Sequence, residues 1–230
     1  SLDTKARFEE KGYTYKRSTL LHGAPGTGKT ILVNRIAHKV IADGGIVLFN
    51  PNPKLLQQAF LALDSIQPDI LTMVIFEELD ELLKSYESSL LNVLDGEIQK
   101  NNIIYMATTN YIDKIPARIR RPGRFSSTIE VKFPNARSRR LYLTKKLELS
   151  PDQMDEWVRL TEGFSIDELS ETVRSAYCLR QPLSGIVKRI KSSKCDANLN
   201  PTKDPKIDDV DEEFGEEFQA ESPFRLVPER

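Results

Sequence analysis

"GAPGTGKT", residues 23–30, decides how this chain folds. It fits the pattern G-x-x-x-x-G-K-[ST], a loop whose backbone N–H groups turn inward round a phosphate. Such a loop feeds a helix N-terminus, whose dipole favours the anion. Lys29 can then reach the β- and γ-phosphates of a nucleotide, and the Thr30 hydroxyl can hold Mg²⁺. The motif requires a strand before it and a helix after it. "STLL" at 18–21 supplies the first, and 30–42 supplies the second, with Ile31, Val33, Ile36, Ala37, Val40 and Ile41 on one broad face. The candidate nucleotide-binding segment is Gly23, Ala24, Pro25, Gly26, Thr27, Gly28, Lys29, Thr30 and Ile31.

Four further apolar runs read as strands: "GIVLF" at 45–49, "LTMVIF" at 71–76, "NIIYMAT" at 102–108 and "TIEVKF" at 128–133. Near-continuous apolar runs are expected where helices cover both faces of a parallel sheet. Helical patterns at 54–65 and 88–96 alternate with them. The reading is a doubly wound α/β domain with five parallel strands over residues 1–134. Residues 135–191 carry helical periods with few strand signals, and Pro151, Ser165 and Pro182 stand where helix starts belong. They read as a small helical subdomain.

The run "VIFEELDELL" ends an apolar strand at paired acids. In phosphate-loop enzymes the first acid steadies the magnesium shell and the second orients the attacking water. Glu77 and Glu78 fill those places by position, and Asp80 follows in the next turn. "ATTN" puts Asn110 at another strand tip, where it either meets the γ-phosphate or water, or only caps a loop. "RIRRPGRF", 118–125, carries four arginines. Guanidinium groups there stabilise charge in phosphoryl transfer, contact nucleic acid, or are solvated surface. His22 and His38 have no ligand-spaced partners and read as structural.

Apolar residues at 39% and charged residues at 29% describe an ordinary globular chain, and a net charge of −1 gives it no overall bias toward nucleic acid or anionic membrane. That average hides a split. Residues 192–230 hold 5 Lys/Arg and 11 Asp/Glu, leaving 1–191 at +5. Segment 192–230 reads as a mostly disordered acidic tail, with Phe214, Phe218 and Phe224 either docking residues or bystanders. Two cysteines, Cys178 and Cys195, exclude a disulfide framework and fit a reducing, cytoplasmic setting. No apolar run of about 18 residues is available to span a membrane.

These elements in this order resemble the AAA family of ATPases, a branch of AAA+, over roughly residues 11–178. "GAPGTGKT", "ATTN" and "RRPGRF" stand together as in that family, and "LTEGFSIDEL" at 160–169 resembles its lid motif. A closer likeness lies with the Bcs-type AAA subgroup, carried by "EEKGYTYKRSTLLHGAPGTGKT", "LLNVLDG" and an acidic pair that starts with Glu. The resemblance implies ATP and Mg²⁺ as cofactors, with Lys29 and Thr30 on phosphate and metal, Glu77 supporting Mg²⁺, Glu78 as catalytic carboxylate and Asn110 as sensor. It also implies Arg121 and Arg124 as arginine fingers reaching a neighbouring subunit. A homo-oligomeric ring follows, a hexamer or heptamer, acting on an unidentified protein.

Two departures shape that expectation. "NPNPKLLQQ" after the second strand lacks the aromatic-hydrophobic-glycine pore loop of AAA unfoldases, so threading is not expected. The region that precedes the ATPase domain in the mitochondrial Bcs-type protein is absent here, so a mitochondrial location does not carry over, and bacterial or phage relatives are an equal home. The chain opens on Ser, which fits a trimmed fragment. Beside a ring ATPase that remodels a protein partner stand two alternatives. One is a nucleotide-gated assembly scaffold with little turnover. The other is a DNA-associated AAA+ ATPase, suggested by the basic run 118–140 and "VKRIK" at 187–191.

Overall fold

A computed structural model describes residues 7–8, 10–95 and 101–199, with side chains as far as 194. The chain divides into two compact units, 1–132 and 133–230.

The first unit is a five-stranded parallel sheet wrapped by helices. Its strands are β1 (Lys16–His22), β2 (Ile46–Phe49), β3 (Thr72–Phe76), β4 (Ile103–Thr109) and β5 (Ser127–Glu130). They lie side by side in the order β2-β3-β4-β1-β5. All pairings are parallel, with His22 opposite Thr109 and Phe76 opposite Ala107. β3 is buried at every position, as its unbroken TMVIF requires of a strand covered on both faces. The helices are α1 (Lys29–Ala42), α2 (Leu56–Ile66) and α3 (Leu79–Asp95). On one face Val33, Ala37 and Val40 of α1 pack with Leu21, Met73, Ile75 and Met106. On the other, Leu56 and Phe60 of α2 and Leu79, Leu90 and Leu94 of α3 pack with Leu20, Val74, Phe76 and Phe125.

Two boundaries differ from the sequence reading. α3 begins at Leu79, not near Ser88, and is broken by non-helical backbone at Tyr86 (φ −129, ψ 17). The kink interrupts the apolar period, while Asp80 and Glu81 in the first turn suit a helix N-terminus. β5 stops at Glu130, short of Phe133, and its residues are exposed as befits an edge strand.

The second unit has four helices: α4 (Ala136–Lys146), α5 (Pro151–Leu160), α6 (Ile166–Tyr177) and α7 (Leu183–Leu199). Ser150 and Ser165 each close a capping box, with Gln153 and Glu168 reaching back. Trp157 is the largest fully buried side chain, packed among Leu143, Leu147, Met154, Val158, Val173, Ala176 and Ile186. Helix α7 runs past residue 191 to Leu199. The rest of the acidic segment, from 200, lies outside the described residues. Among the described residues no helix is long and apolar enough to cross a membrane.

Trp157 ties all four helices of this unit together, so Trp157→Ala is expected to cost about 3–5 kcal/mol. Urea denaturation followed by circular dichroism measures the loss.

Candidate functional site

Because the strands are parallel, β1, β3 and β4 all end at one edge of the sheet, and the residues that follow them converge there. The glycine loop follows β1 and the acid pair follows β3. Asn110 follows β4, which lies between the other two.

The loop is shaped by two close constraints. At Gly23 (φ 146) an added Cβ would stand 2.3 Å from the Val131 carbonyl oxygen. Just there the Val131 N–H donates to the His22 carbonyl at 2.7 Å. Gly28, in the left-handed region at φ 97, caps α1 without any side-chain hydrogen bond, and the first turn carries no acid. The N–H groups at that terminus are thus left for an anion rather than spent on a cap. Lys29 is buried and its Nζ donates to the carbonyls of Gly23 (2.8 Å) and Ala24 (2.9 Å). The Thr27 hydroxyl donates to the Ala24 carbonyl at 2.9 Å. Thr30 and Ile31 stand exposed at the start of α1.

The acid pair is held by its backbone. Glu77 N–H donates to Asn50 Oδ1 at 2.8 Å, and Glu78 N–H to Thr108 Oγ1 at 3.4 Å. Glu78 sits at φ 52, a left-handed conformation that costs a non-glycine residue roughly 1–2 kcal/mol. Such strain persists where surrounding structure overdetermines it, commonly at functional sites. Its carbonyl accepts from Glu81 and Leu82, so the same residue starts α3. The two carboxylates differ in surroundings: Glu78 is exposed, whereas Glu77 Oε1 is buried with no hydrogen-bond partner. A buried orphan carboxylate oxygen is costly unless a cation or water meets it. With the exposed Thr30 hydroxyl, that donor set suits a magnesium ion completed by phosphate and water oxygens.

Asn50, Thr108 and Thr109 were not singled out in the sequence, yet they hold the site. Thr109 Oγ1 donates to buried Asp80 at 2.6 Å and accepts the Tyr111 N–H at 3.0 Å. This clamp joins α3 to the end of β4 and brackets Asn110. The signal available was the Thr pair in "ATTN" beside Asp80, three residues past Glu77.

The arginines lie elsewhere. Arg124 Nε and Nη2 both bond Asp95, at the end of α3, and Nη1 donates to the Arg118 carbonyl. Lys16, first residue of β1, donates to the Leu94 carbonyl. Lys16, Asp95 and Arg124 line a cavity of about 460 Å³ with Phe8, Tyr13 and Ser126. Six residue steps of β1 at about 3.3 Å each separate Lys16 from His22, so Arg124 stands roughly 20 Å from the glycine loop of its own chain. Arg118 pairs with Glu87, while exposed Arg121 draws no ion pair among the described residues. A single chain brings the elements that carry Lys29, Thr30, Glu77, Glu78 and Asn110 to one edge and leaves Arg124 away from it, on Asp95.

A glycine loop on a helix N-terminus, acids at the next strand end and a polar residue between them define a phosphate-loop nucleotide hydrolase. Residues 19–133, half of the chain, match the family described as "ATPase family associated with various cellular activities (AAA)", and the chain belongs to that family. The chain is thus an ATPase by family. It is similar to the proteasome-activating nucleotidase of Aeropyrum pernix, at 32% identity over 74% of this chain and 47% of that protein. It is likewise similar to a cell division cycle protein 48 homolog of Archaeoglobus fulgidus, at 28% identity, covering 78% of this chain and 27% of the relative. A 26S proteasome regulatory subunit 4 homolog of Dictyostelium discoideum is 29% identical over 79% of this chain and 46% of its own length. The chain therefore spans about half the length, or less, of the curated relatives it matches.

Two predictions follow from the geometry. Gly23→Ala drives a Cβ into the Val131 carbonyl, so it should cost about 1–3 kcal/mol from overpacking and weaken binding of a fluorescent ATP analogue; thermal unfolding with a titration reads both. The second concerns acid. The hydrogen bond from Arg124 holds the Asp95 carboxyl below its usual range, against the opposing effect of burial. A depressed carboxylate contributes stability that is present above the ordinary Asp value and lost as pH falls through the lowered one. Asp95→Asn should therefore lower stability at neutral pH, flatten the fall below about pH 4 and converge with the parent chain in acid, as urea midpoints across pH measure.

Proposed function

We propose that the chain is a Mg²⁺-dependent ATP-hydrolysing subunit of a homo-oligomeric ring, a hexamer or heptamer, that remodels or chaperones a protein partner. The observation that carries the reading is the separation of Arg124, with Arg121 three residues before it in the chain, from the phosphate loop of its own chain. Cations at that remove cannot serve the local γ-phosphate, and a second copy bringing them to the loop completes the site. The similarity to nucleotidases and regulatory subunits named for the proteasome favours a protein partner. Within the family we assign the chain to the Bcs-type subgroup, on the Glu that opens its acidic pair.

In this mechanism Lys29 leaves the carbonyls of Gly23 and Ala24 for the β- and γ-phosphates, while the N-terminus of α1 holds the phosphate charge. The Thr30 hydroxyl and the Glu77 carboxylate would hold Mg²⁺. The ion supplies charge neutralisation on the transferring phosphoryl group. Glu78 polarises the water that attacks the γ-phosphorus. The bond to the β–γ bridging oxygen breaks, and ADP and phosphate leave. Asn110, bracketed by the Asp80–Thr109 clamp, hydrogen-bonds the γ-phosphate or that water.

One observation favours a second reading, a nucleotide-gated scaffold with little turnover: both outer nitrogens of Arg124 are already engaged within the chain, on Asp95 and the Arg118 carbonyl. Steady-state ATP hydrolysis across a protein dilution series separates the two. The ring ATPase predicts a rate per subunit that climbs with concentration and disappears in Glu78→Gln. Arg121→Ala and Arg124→Ala should bind ATP nearly normally and lose turnover by about a thousandfold. A flat, near-zero rate despite ATP binding supports the scaffold. Asp95→Ala isolates the structural share of Arg124: if it lowers turnover as far as Arg124→Ala does, Arg124 is a strut and not a finger.

A further inference from the structure

We propose that the acidic segment 208–218 of this chain docks on the outer face of α4, the most basic of the described helices. Helix α4 reads ARSRRLYLTKK, five cations and no acid in 11 residues. Arg139 and Leu143 turn inward and are buried. The opposite face, at helical spacing, presents Arg137, Arg140, Leu141, Thr144 and Lys145, all exposed. Leu141 stands 59% exposed in the middle of that cationic stripe. Of its cations, Arg140 pairs with Asp155 of α5, whereas Arg137 and Lys145 draw no ion pair among the described residues.

The complement lies further along the same chain. Residues 208–217, DDVDEEFGEE, carry seven acids and no base in ten residues, with Phe214 inside the run and Phe218 just after it. An acidic strip that brings aromatic rings matches a basic stripe that exposes a leucine. The reach is sufficient. Nine residue steps from Leu199 to Asp208 extend at most about 30 Å, close to the diameter of a unit this size, whose radius of gyration is about 11 Å. Each exposed ion pair is weak alone, but a tether sets an effective concentration on the order of millimolar, so weak contacts suffice. The inference does not depend on the nucleotide site. Its consequence is that any acidic partner of α4 must displace the tail first.

Carbodiimide joins a carboxylate to an amine only when they touch, so it tests the docking on the full chain. Cross-linked peptides read by mass spectrometry at about 20 mM salt should join Lys145 to acids within 208–217. The yield should fall about tenfold near 0.5 M salt, where the Debye length shrinks to a few ångströms. Arg137→Glu with Leu141→Ser keeps the Lys145 reporter. It should lower the yield by a similar factor without changing the melting temperature or the reaction of Lys145 with a monofunctional amine reagent. Absence of such links overturns the proposal. So do links spread over exposed Lys39, Lys114 and Lys188 in proportion to their exposure. Mixing light and heavy isotope-labelled chains gives the last arm: links that join light to heavy put a second copy's tail on α4 and overturn docking within one chain.

Discussion

The close approach at Gly23 is the constraint on which the rest of the first unit depends. β1 ends where its last carbonyl accepts from Val131, and the following residue has no room for a Cβ against the Val131 carbonyl. That contact fixes the point at which the chain leaves the sheet. It therefore fixes where the loop turns and where α1 starts, with Lys29 in its first position. A helix start displaced by even one residue would rotate Lys29 and Thr30 by about 100° round the axis and part them from the acids that follow β3. The depth of the apolar core serves this geometry. β3 and β4 are buried almost throughout, so their ends cannot drift relative to β1.

Apolar packing sets the strand ends, but short polar clamps set the residues beyond them. Asn50 holds the Glu77 backbone, Thr108 holds that of Glu78, and Asp80 with Thr109 holds the turn that carries Asn110. Each clamp joins two neighbouring strands' loops, so the site is cross-braced along the sheet edge. The left-handed backbone at Glu78 is tolerated because its amide and carbonyl are both engaged, the latter in the first turn of α3. The contrast between the two glutamates follows. Glu77 turns one carboxylate oxygen into the protein, whereas the Glu78 side chain faces solvent.

The parallel sheet and the phosphate loop were legible because both are written in local sequence. Continuous apolar runs mark strands covered on two faces, and the glycine spacing matters only where a strand feeds a helix. What escaped was non-local. The first turns of α3 were hidden because the kink at Tyr86 breaks the period on which a helical reading rests. Asn50 looked like an ordinary turn residue, since its partner lies 27 positions away. The Asp80–Thr109 bond spans 29 positions and is visible only once β3 and β4 are side by side. The arginines were legible as a cluster but not as a location. Nothing in "RIRRPGRF" says that it returns to the amino-terminal end of β1, because that follows from where β5 pairs.

That location also accounts for the local charges. Arg124 and Lys16 bring two cations to the amino-terminal end of the sheet beside a single carboxylate, Asp95. Burial lowers the affinity of Lys16 for its proton while Asp95 raises it, and Arg124 lowers it again. Asp95 thus mediates between two like charges that would otherwise repel across a half-open cavity. The ion pair that holds the Arg124 guanidinium is itself only partly buried, its Asp95 side chain 42% exposed, at the end of the sheet away from the phosphate loop of the same chain.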